Sequence, residues 1–258
     1  MKRLTLFALL ALIITGSAMA WDTRGHAAIA YIAERHLTPR AKANIEQYLG
    51  GRSLVYYSAW MDFNRTEPPF DITRDWHVDY WTEDMRYDAE GKLTEPRSIE
   101  ATKRIIGEMA DFRALPDSLV TLNIKFLTHL VGDIHCPVHV NFAKTRPWRV
   151  YAGKKQVKFH AMWDGHVVAI KHKGHSPMSL AELLDIYSPE QIAQMQKGDP
   201  DHWHAETTAL SDKVVEMMPE NRKLTNINYF NEAIRLADYQ FALAGYRLAK
   251  ILNTIFDK

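Results

Sequence analysis

Eight side chains between His26 and Asp164 have the types and spacing of ligands for borderline metal ions: His26, Asp62, His77, His129, Asp133, His139, His160 and Asp164. In His129-Leu130-Val131-Gly132-Asp133 the i,i+4 spacing places an imidazole and a carboxylate on one helix face. Pro137 ends or bends that helix and lets His139 turn back towards the same cavity. His160 and Asp164 repeat the spacing, which predicts a second pair on the first turn of another helix. A single His/Asp pair of this kind is an ordinary helix-surface contact. The joint pattern differs, because burying so many titratable groups without metal would be costly. His36, His166, His172, His175, His202 and His204 lack comparable partners in sequence and are read as surface or structural residues. His135 lies two residues from Asp133, on the opposite helix face, where a structural or ligand-supporting role is expected.

The amino-terminal stretch adds one more candidate ligand. Lys2 and Arg3, an apolar run from Leu4 to Ile14 and the small-x-small triplet Ala18-Met19-Ala20 predict a signal peptide over residues 1–20. The apolar run is well short of the about 20 residues that span a bilayer, and no later segment is apolar enough to span. Cleavage after Ala20 leaves Trp21 with a free α-amino group five residues before His26, a geometry open to chelation. The expected product is periplasmic or secreted, without stable membrane insertion. Losing Lys2 and Arg3 takes the formal charge from +1 to −1, so bulk charge favours neither a nucleic-acid-coating protein nor a membrane-surface one. The single cysteine, Cys136, excludes an intramolecular disulfide and is expected to be buried and inert. On this reading metal ligands come from histidine, carboxylate and the amino terminus, and the chain is a multi-zinc hydrolase.

The elements that must position these residues are mostly helical. Thr38-Pro39 reads as an N-cap with proline at the first helical position, and Gly50-Gly51 follows the last turn. Ser188-Pro189-Glu190-Gln191 repeats the logic with a capping-box glutamine, closed by Gly198. Leu119, Leu122, Phe126, Leu130 and Ile134 recur at helical spacing over Ser118–Asp133, and Tyr229–Phe256 predicts a long closing core helix. Trp148–Phe159 alternates around Ala152-Gly153-Lys154-Lys155, which predicts a small hairpin. Segments 51–97 and 141–160 are rich in proline, glycine and charge and are expected to be surface loops. The predicted fold is all-α, a single compact multi-helix domain over residues 21–258 with a small β-hairpin and loops over a metal cleft.

The motifs Trp21-Asp22-x-x-Gly25-His26, Trp60-Met61-Asp62-x-x-Arg65, Trp76-His77-x-Asp79, His129-x3-Asp133-Ile134-His135-x-Pro137-x-His139 and His160-x-x-Trp163-Asp164 together resemble one family. It is that of the zinc-dependent single-strand-specific nucleases, the fungal S-one and P-one type with plant and bacterial relatives, and more distantly the zinc-dependent phospholipase C. The resemblance implies three zinc ions: one held by Asp62, His77, His129 and Asp133, a second by His139, His160 and Asp164. The third would be held by the amino group and carbonyl of Trp21, by His26 and by Asp133, which bridges two metals. Such sites keep open positions for water and substrate, as catalytic zinc does. It also implies that Arg65 neutralises charge on the phosphoryl oxygens, so that Arg65 and Asp133 are the catalytic residues. Substrates would be single-stranded DNA and RNA, with 3′-nucleotidase activity and 5′-phosphorylated products, and the working form a monomer.

Three features depart from the family pattern. The fungal disulfides cannot form here. The aromatic residue that follows the Trp-His histidine is replaced by Val78, with Tyr80 or Trp81 as candidate substitutes for base stacking. The glycine-rich loop before His160 is replaced by Lys144-Thr145-Arg146-Pro147-Trp148-Arg149 and the lysine-rich hairpin. From Asn141 to Trp163 there are six Lys or Arg and no Asp or Glu, with Trp148 and Tyr151 interleaved, a composition suited to tracking a single-strand backbone. The alternative enzyme, a phospholipase C-like hydrolase, is disfavoured by Asp164 where its pattern has glutamate. A non-enzymatic exported zinc-binding protein would have no use for Arg65.

Overall fold

The computed structural model describes residues 21–79, 97–140, 148–152, 155–224 and 227–258. The predicted signal segment, Tyr80, Trp81, residues 141–147 with Lys144 and Arg146, and the hairpin tip Gly153-Lys154 lie outside them.

Around the centre of the fold the helices are α1 (Thr23–Arg35), α2 (Pro39–Tyr48), α3 (Leu54–Tyr57), α4 (Trp60–Asn64), α5 (Ser98–Glu108) and α6 (Asp117–Asp133). A 3₁₀ helix at Phe70–His77 follows α4, and another at Met109–Ala114 follows α5. Strands β1 (Arg149–Ala152) and β2 (Lys155–Lys158) lead into α7 (Phe159–Ala161), a π turn at Met162–His166 and α8 (Val167–His172). The chain closes with α9 (Pro177–Leu184), α10 (Pro189–Met195), α11 (Pro200–Glu216), a short β3 (Lys223–Leu224) and α12 (Ile227–Phe256).

This all-α body carries the expected caps. Thr38 accepts from the Ala41 amide at the start of α2, and Ser188 and Gln191 form a reciprocal capping box at α10. Helix α6 runs through the centre, packed by α1–α5 and α12, so the residues of its last turn are buried on every side. Helix α1 lies along α12 on an alanine-rich face. The approach is close: a Cβ at Gly245 would stand 2.6 Å from the Cβ of Ile32. Near the site, a Cβ at Gly132 would stand 2.8 Å from Nδ1 of His26, so only glycine lets α1 and α6 bring that ring against Asp133.

The hairpin pairs antiparallel with Val150 opposite Val157. A third strand, β3, adds to β1 in parallel through Tyr151–Lys223 and Ala152–Leu224, giving the order β2-β1-β3. Segment 51–97 is not only loop as expected: its described part holds α3, α4 and the first 3₁₀ helix, each too short to leave a readable period. The His160/Asp164 pair sits on a short α turn running into a π turn, where a regular helix start was expected.

Candidate metal centre

Helix α1 begins directly after Trp21. Asp22 caps it, its carboxylate accepting from the Gly25 amide at 3.0 Å, while the Asp22 amide donates to the Asp164 carbonyl at 2.8 Å. The Trp21 indole is fully buried, packs on Phe241 at 4.5 Å between centroids and donates to the Gly132 carbonyl at 3.1 Å. Together these contacts bring the start of the described chain beside Asp133 and Asp164.

Asp133, at the end of α6, lies at the centre of a ring of histidines. Its Oδ1 is 3.5 Å from His26 Nε2 and 3.4 Å from His139 Nδ1, and its Oδ2 is 3.2 Å from His77 Nδ1 and 3.4 Å from His129 Nε2. Asp62, from α4, stands 3.7 Å from His77 and 3.8 Å from His129. On the far side Asp164 is 3.4 Å from His139 and 2.9 Å from His160, whose rings stack at 4.7 Å. His26 and His129 stack at 3.9 Å. All eight predicted side chains are thus brought together and buried. Arg65, at the end of α4, places Nη1 3.5 Å from Asp62 and stays partly exposed.

The fit to metal can be tested on the polar atoms. Both carboxylate oxygens of Asp62 and Asp133, both ring nitrogens of His26 and His139, and Nε2 of His77 are buried and make no hydrogen bond among the described residues. Two atoms each held at about 2.0–2.2 Å by one tetrahedral zinc lie roughly 3.3–3.6 Å apart, and half of these contacts, at 3.4–3.5 Å, fall in that range. Three groups each bring their candidate ligand atoms within 4.8 Å of one another: His26/His129/Asp133 and Asp62/His77/His129, which share His129, and Cys136/His139/Asp164. The last group sets Cys136, buried as expected, beside His139 and Asp164.

Backbone contacts fix the ligand tautomers. His129 donates Nδ1–H to the Ser58 carbonyl at 2.8 Å, which turns Nε2 towards Asp62, Asp133 and His77. Burial pushes the His77 and His129 imidazoles below their ordinary range, which favours the neutral form a metal ligand needs. Burial opposes ionisation of Asp133, yet His129, His139, His26 and His77 hold its carboxyl well below the usual range. His139 is pushed up to about 10: burial works against its charge, but Asp133 and Asp164 outweigh it. Burial, with the Asp164 charge, pushes the Cys136 thiol up.

Several supports were not legible in sequence. Asp79 accepts from His204 Nε2 at 3.1 Å and from Ser98, and its amide donates to the His139 carbonyl at 2.8 Å, tying the 3₁₀ helix to the His139 loop. His36 and His172 find carboxylate partners on distant segments, at Asp185 and Asp238, whereas His202 pairs with Glu206 at an i,i+4 spacing that was open to reading in the sequence. His135 donates Nδ1–H to the Val131 carbonyl and accepts from Arg247, which reaches Glu206 and the Met195 carbonyl. The loop between Asp133 and His139 is thereby anchored to α12. Of the basic hairpin, Arg149, Lys158 and Tyr151 are exposed, whereas Trp148 is partly spent on packing against Phe159 and under Arg222.

Compared with known proteins, residues 21–257 match the family model described as S1/P1 Nuclease. Nuclease PA3 of a Penicillium species and Nuclease P1 of Penicillium citrinum are each 25% identical over 91% of this chain and 97% of their own length. Endonuclease 3 of Arabidopsis thaliana is 21% identical over 94% of this chain and 91% of its own. The chain belongs to the S1/P1 nuclease family, zinc-dependent, single-strand-specific nucleases that hydrolyse phosphodiester bonds.

The His135 contacts carry a pH dependence. Burial and then the Arg247 charge push this imidazole down to about 3 from 6.5, so the folded chain binds fewer protons than the unfolded one between those values. Stability from the neutral ring is therefore complete above pH 6.5 and is lost as pH falls towards about 3. His135→Asn keeps a donor and an acceptor but does not titrate. Its urea midpoint should fall less steeply over that range than the wild type's. Equal slopes would contradict the assignment.

Proposed function

We propose that this chain is an exported phosphodiesterase that carries three zinc ions and cuts single-stranded DNA and RNA, with 3′-nucleotidase activity and 5′-phosphorylated products. The observation that carries the reading is the set of buried carboxylate and imidazole atoms around Asp133 that lack hydrogen bonds among the described residues. Burying polar and charged groups in this way costs several kcal/mol unless a cation compensates.

Asp62, His77, His129 and Asp133 would hold one ion, His139, His160 and Asp164 a second, and the Trp21 amino group and carbonyl, His26 and Asp133 a third. Bound there, zinc supplies Lewis-acid polarisation of a phosphoryl oxygen and activates water near neutral pH. The chain's own residues do the rest. Asp133 would contribute to two of these sites, with one oxygen beside His26 and the other beside His77 and His129. His129 and His77 enter as neutral ligands, whereas His139 must give up its proton on metal binding. Arg65 reaches the site edge beside Asp62, where a guanidinium can pair with two non-bridging phosphate oxygens. Tyr151, Arg149 and Lys158 offer an exposed aromatic and two cations for the strand that flanks the cut.

Residues 1–20 are proposed as a signal peptide, removed to give a periplasmic or secreted monomer with Trp21 as its amino terminus. No helix among the described residues is long and apolar enough to cross a membrane. The burial of Trp21 against Gly132, next to Asp133, supports a terminal amine within reach of the metals.

The enzyme should cut a single-stranded oligonucleotide much faster than the duplex of the same sequence, because only unpaired bases can splay onto aromatic side chains. Arg65→Ala should keep full metal content by elemental analysis and lose roughly 100-fold or more in rate. Equal rates on both substrates would overturn the substrate reading, and metal loss in the Arg65 variant would overturn its role.

The amino terminus gives a separate test. An α-amino group of pKa about 7.7–8.0 must lose its proton to coordinate, and a preceding peptide bond turns it into an amide with no basic lone pair. A form beginning Met-Trp21 should fold, carry one zinc fewer and lose most activity, while an exported, C-terminally tagged form keeps both. Unchanged zinc content in the extended form would show that Trp21 serves only as an aromatic plug.

A further inference from the structure

We propose that Cys136 supplies a sulfur donor to the metal site formed by His139, His160 and Asp164, which makes that site softer than the two around Asp133. The inference rests on the zinc reading above and concerns which atoms complete one of its sites.

Cys136 occupies the turn between Asp133 and His139. Its amide donates to the Asp133 carbonyl at 2.9 Å, and its carbonyl accepts from the His139 amide at 2.9 Å. This turn, followed by Pro137, holds the thiol inside the protein, fully buried. Sγ lies 3.7 Å from Asp164 Oδ1, and the sulfur, a His139 nitrogen and an Asp164 oxygen all lie within 4.8 Å of one another. His139 Nε2 is itself 3.4 Å from the same carboxylate oxygen. Both ring nitrogens of His139 are buried and make no hydrogen bond among the described residues, although a carboxylate oxygen stands 3.4 Å from each.

Sulfur at about 2.3 Å and oxygen at about 2.0–2.2 Å from one tetrahedral zinc stand roughly 3.5 Å apart, close to the observed separation. A weak S–H···O hydrogen bond would also fit that distance, and the two arrangements differ in the fate of the proton. In coordination the S–H bond breaks, a sulfur–metal bond forms and the proton leaves to solvent. In a hydrogen bond the proton stays on sulfur. The sites around Asp133 contain only nitrogen and oxygen donors. A thiolate in the remaining site raises its preference for thiophilic metals, and the three sites then sort ions by softness.

Cys136 is the only cysteine of the chain, so any thiolate-to-metal charge-transfer band can arise nowhere else. The test is cobalt(II) titration of the metal-free mature protein, followed by absorption spectroscopy. The expected result is a near-ultraviolet charge-transfer band that saturates at one equivalent, while the visible ligand-field bands grow with further cobalt. Cys136→Ser should retain the visible bands and lose the near-ultraviolet one. Visible bands without a charge-transfer band in the wild type would overturn the sulfur donor and leave the metal sites standing. Failure to bind cobalt at all would overturn the zinc reading and this inference with it. The wild-type spectrum decides on its own even if the serine variant does not fold.

Discussion

A single carboxylate, Asp133, is buried with four imidazoles at 3.2–3.5 Å from its oxygens and, among the described residues, no hydrogen bond to either oxygen. Much of the surrounding structure depends on this constraint. An unpaired charge at that depth costs several kcal/mol, a large share of the about 5–15 kcal/mol by which a folded domain is stable. The histidines lower the cost but cannot all be charged: burial favours the neutral form of His77 and His129, while His139 is pushed towards the imidazolium. Zinc ions between these atoms would satisfy the carboxylate and the imidazole lone pairs together.

Tryptophans anchor the segments that converge on Asp133. Trp21 packs on Phe241, Trp76 meets Phe126 edge-on at 5.3 Å, and Trp163 donates to the Tyr229 hydroxyl at 3.0 Å. Trp60, partly buried, contacts Phe70 and Phe126. Each lies on the chain within two residues of a proposed ligand, or is itself one. A buried aromatic removes roughly 150–250 Å² from water, worth about 4–6 kcal/mol at 25 cal/mol per Å² as an upper bound. That gain is of the order needed to hold a ligand segment against the desolvation of its carboxylate or imidazole. Arg247 through His135, and His204 through Asp79, add polar ties from α12 and α11 to the same loops.

The parts legible in sequence were those with local signals. The capped helices α2 and α10, the periodic α6 and α12, and the existence of the hairpin follow from neighbours a few residues apart. The ligand set was readable because histidine and aspartate recur at helical spacing or beside tryptophan. Much of what escaped was non-local or too short. Helices α3 and α4 and the 3₁₀ helix before Val78 span too few residues to show a period, yet α4 and the 3₁₀ helix carry Asp62 and His77. Helix α1 went unread although Asp22 caps it, and the parallel β3 pairing joins residues far apart in the chain. The partners of His204, His135 and Cys136 lie on distant segments, so the spacing that revealed the ligands could not reveal their supports.

The measurement that bears most directly on a shared carboxylate is the metal content of Asp133→Asn beside Asp164→Asn, by elemental analysis of folded, exported protein. If Asp133 bridges two zincs, its variant loses more than one equivalent and all turnover, whereas the Asp164 variant weakens one site only. Loss of a single equivalent or none from Asp133→Asn would contradict the bridging arrangement.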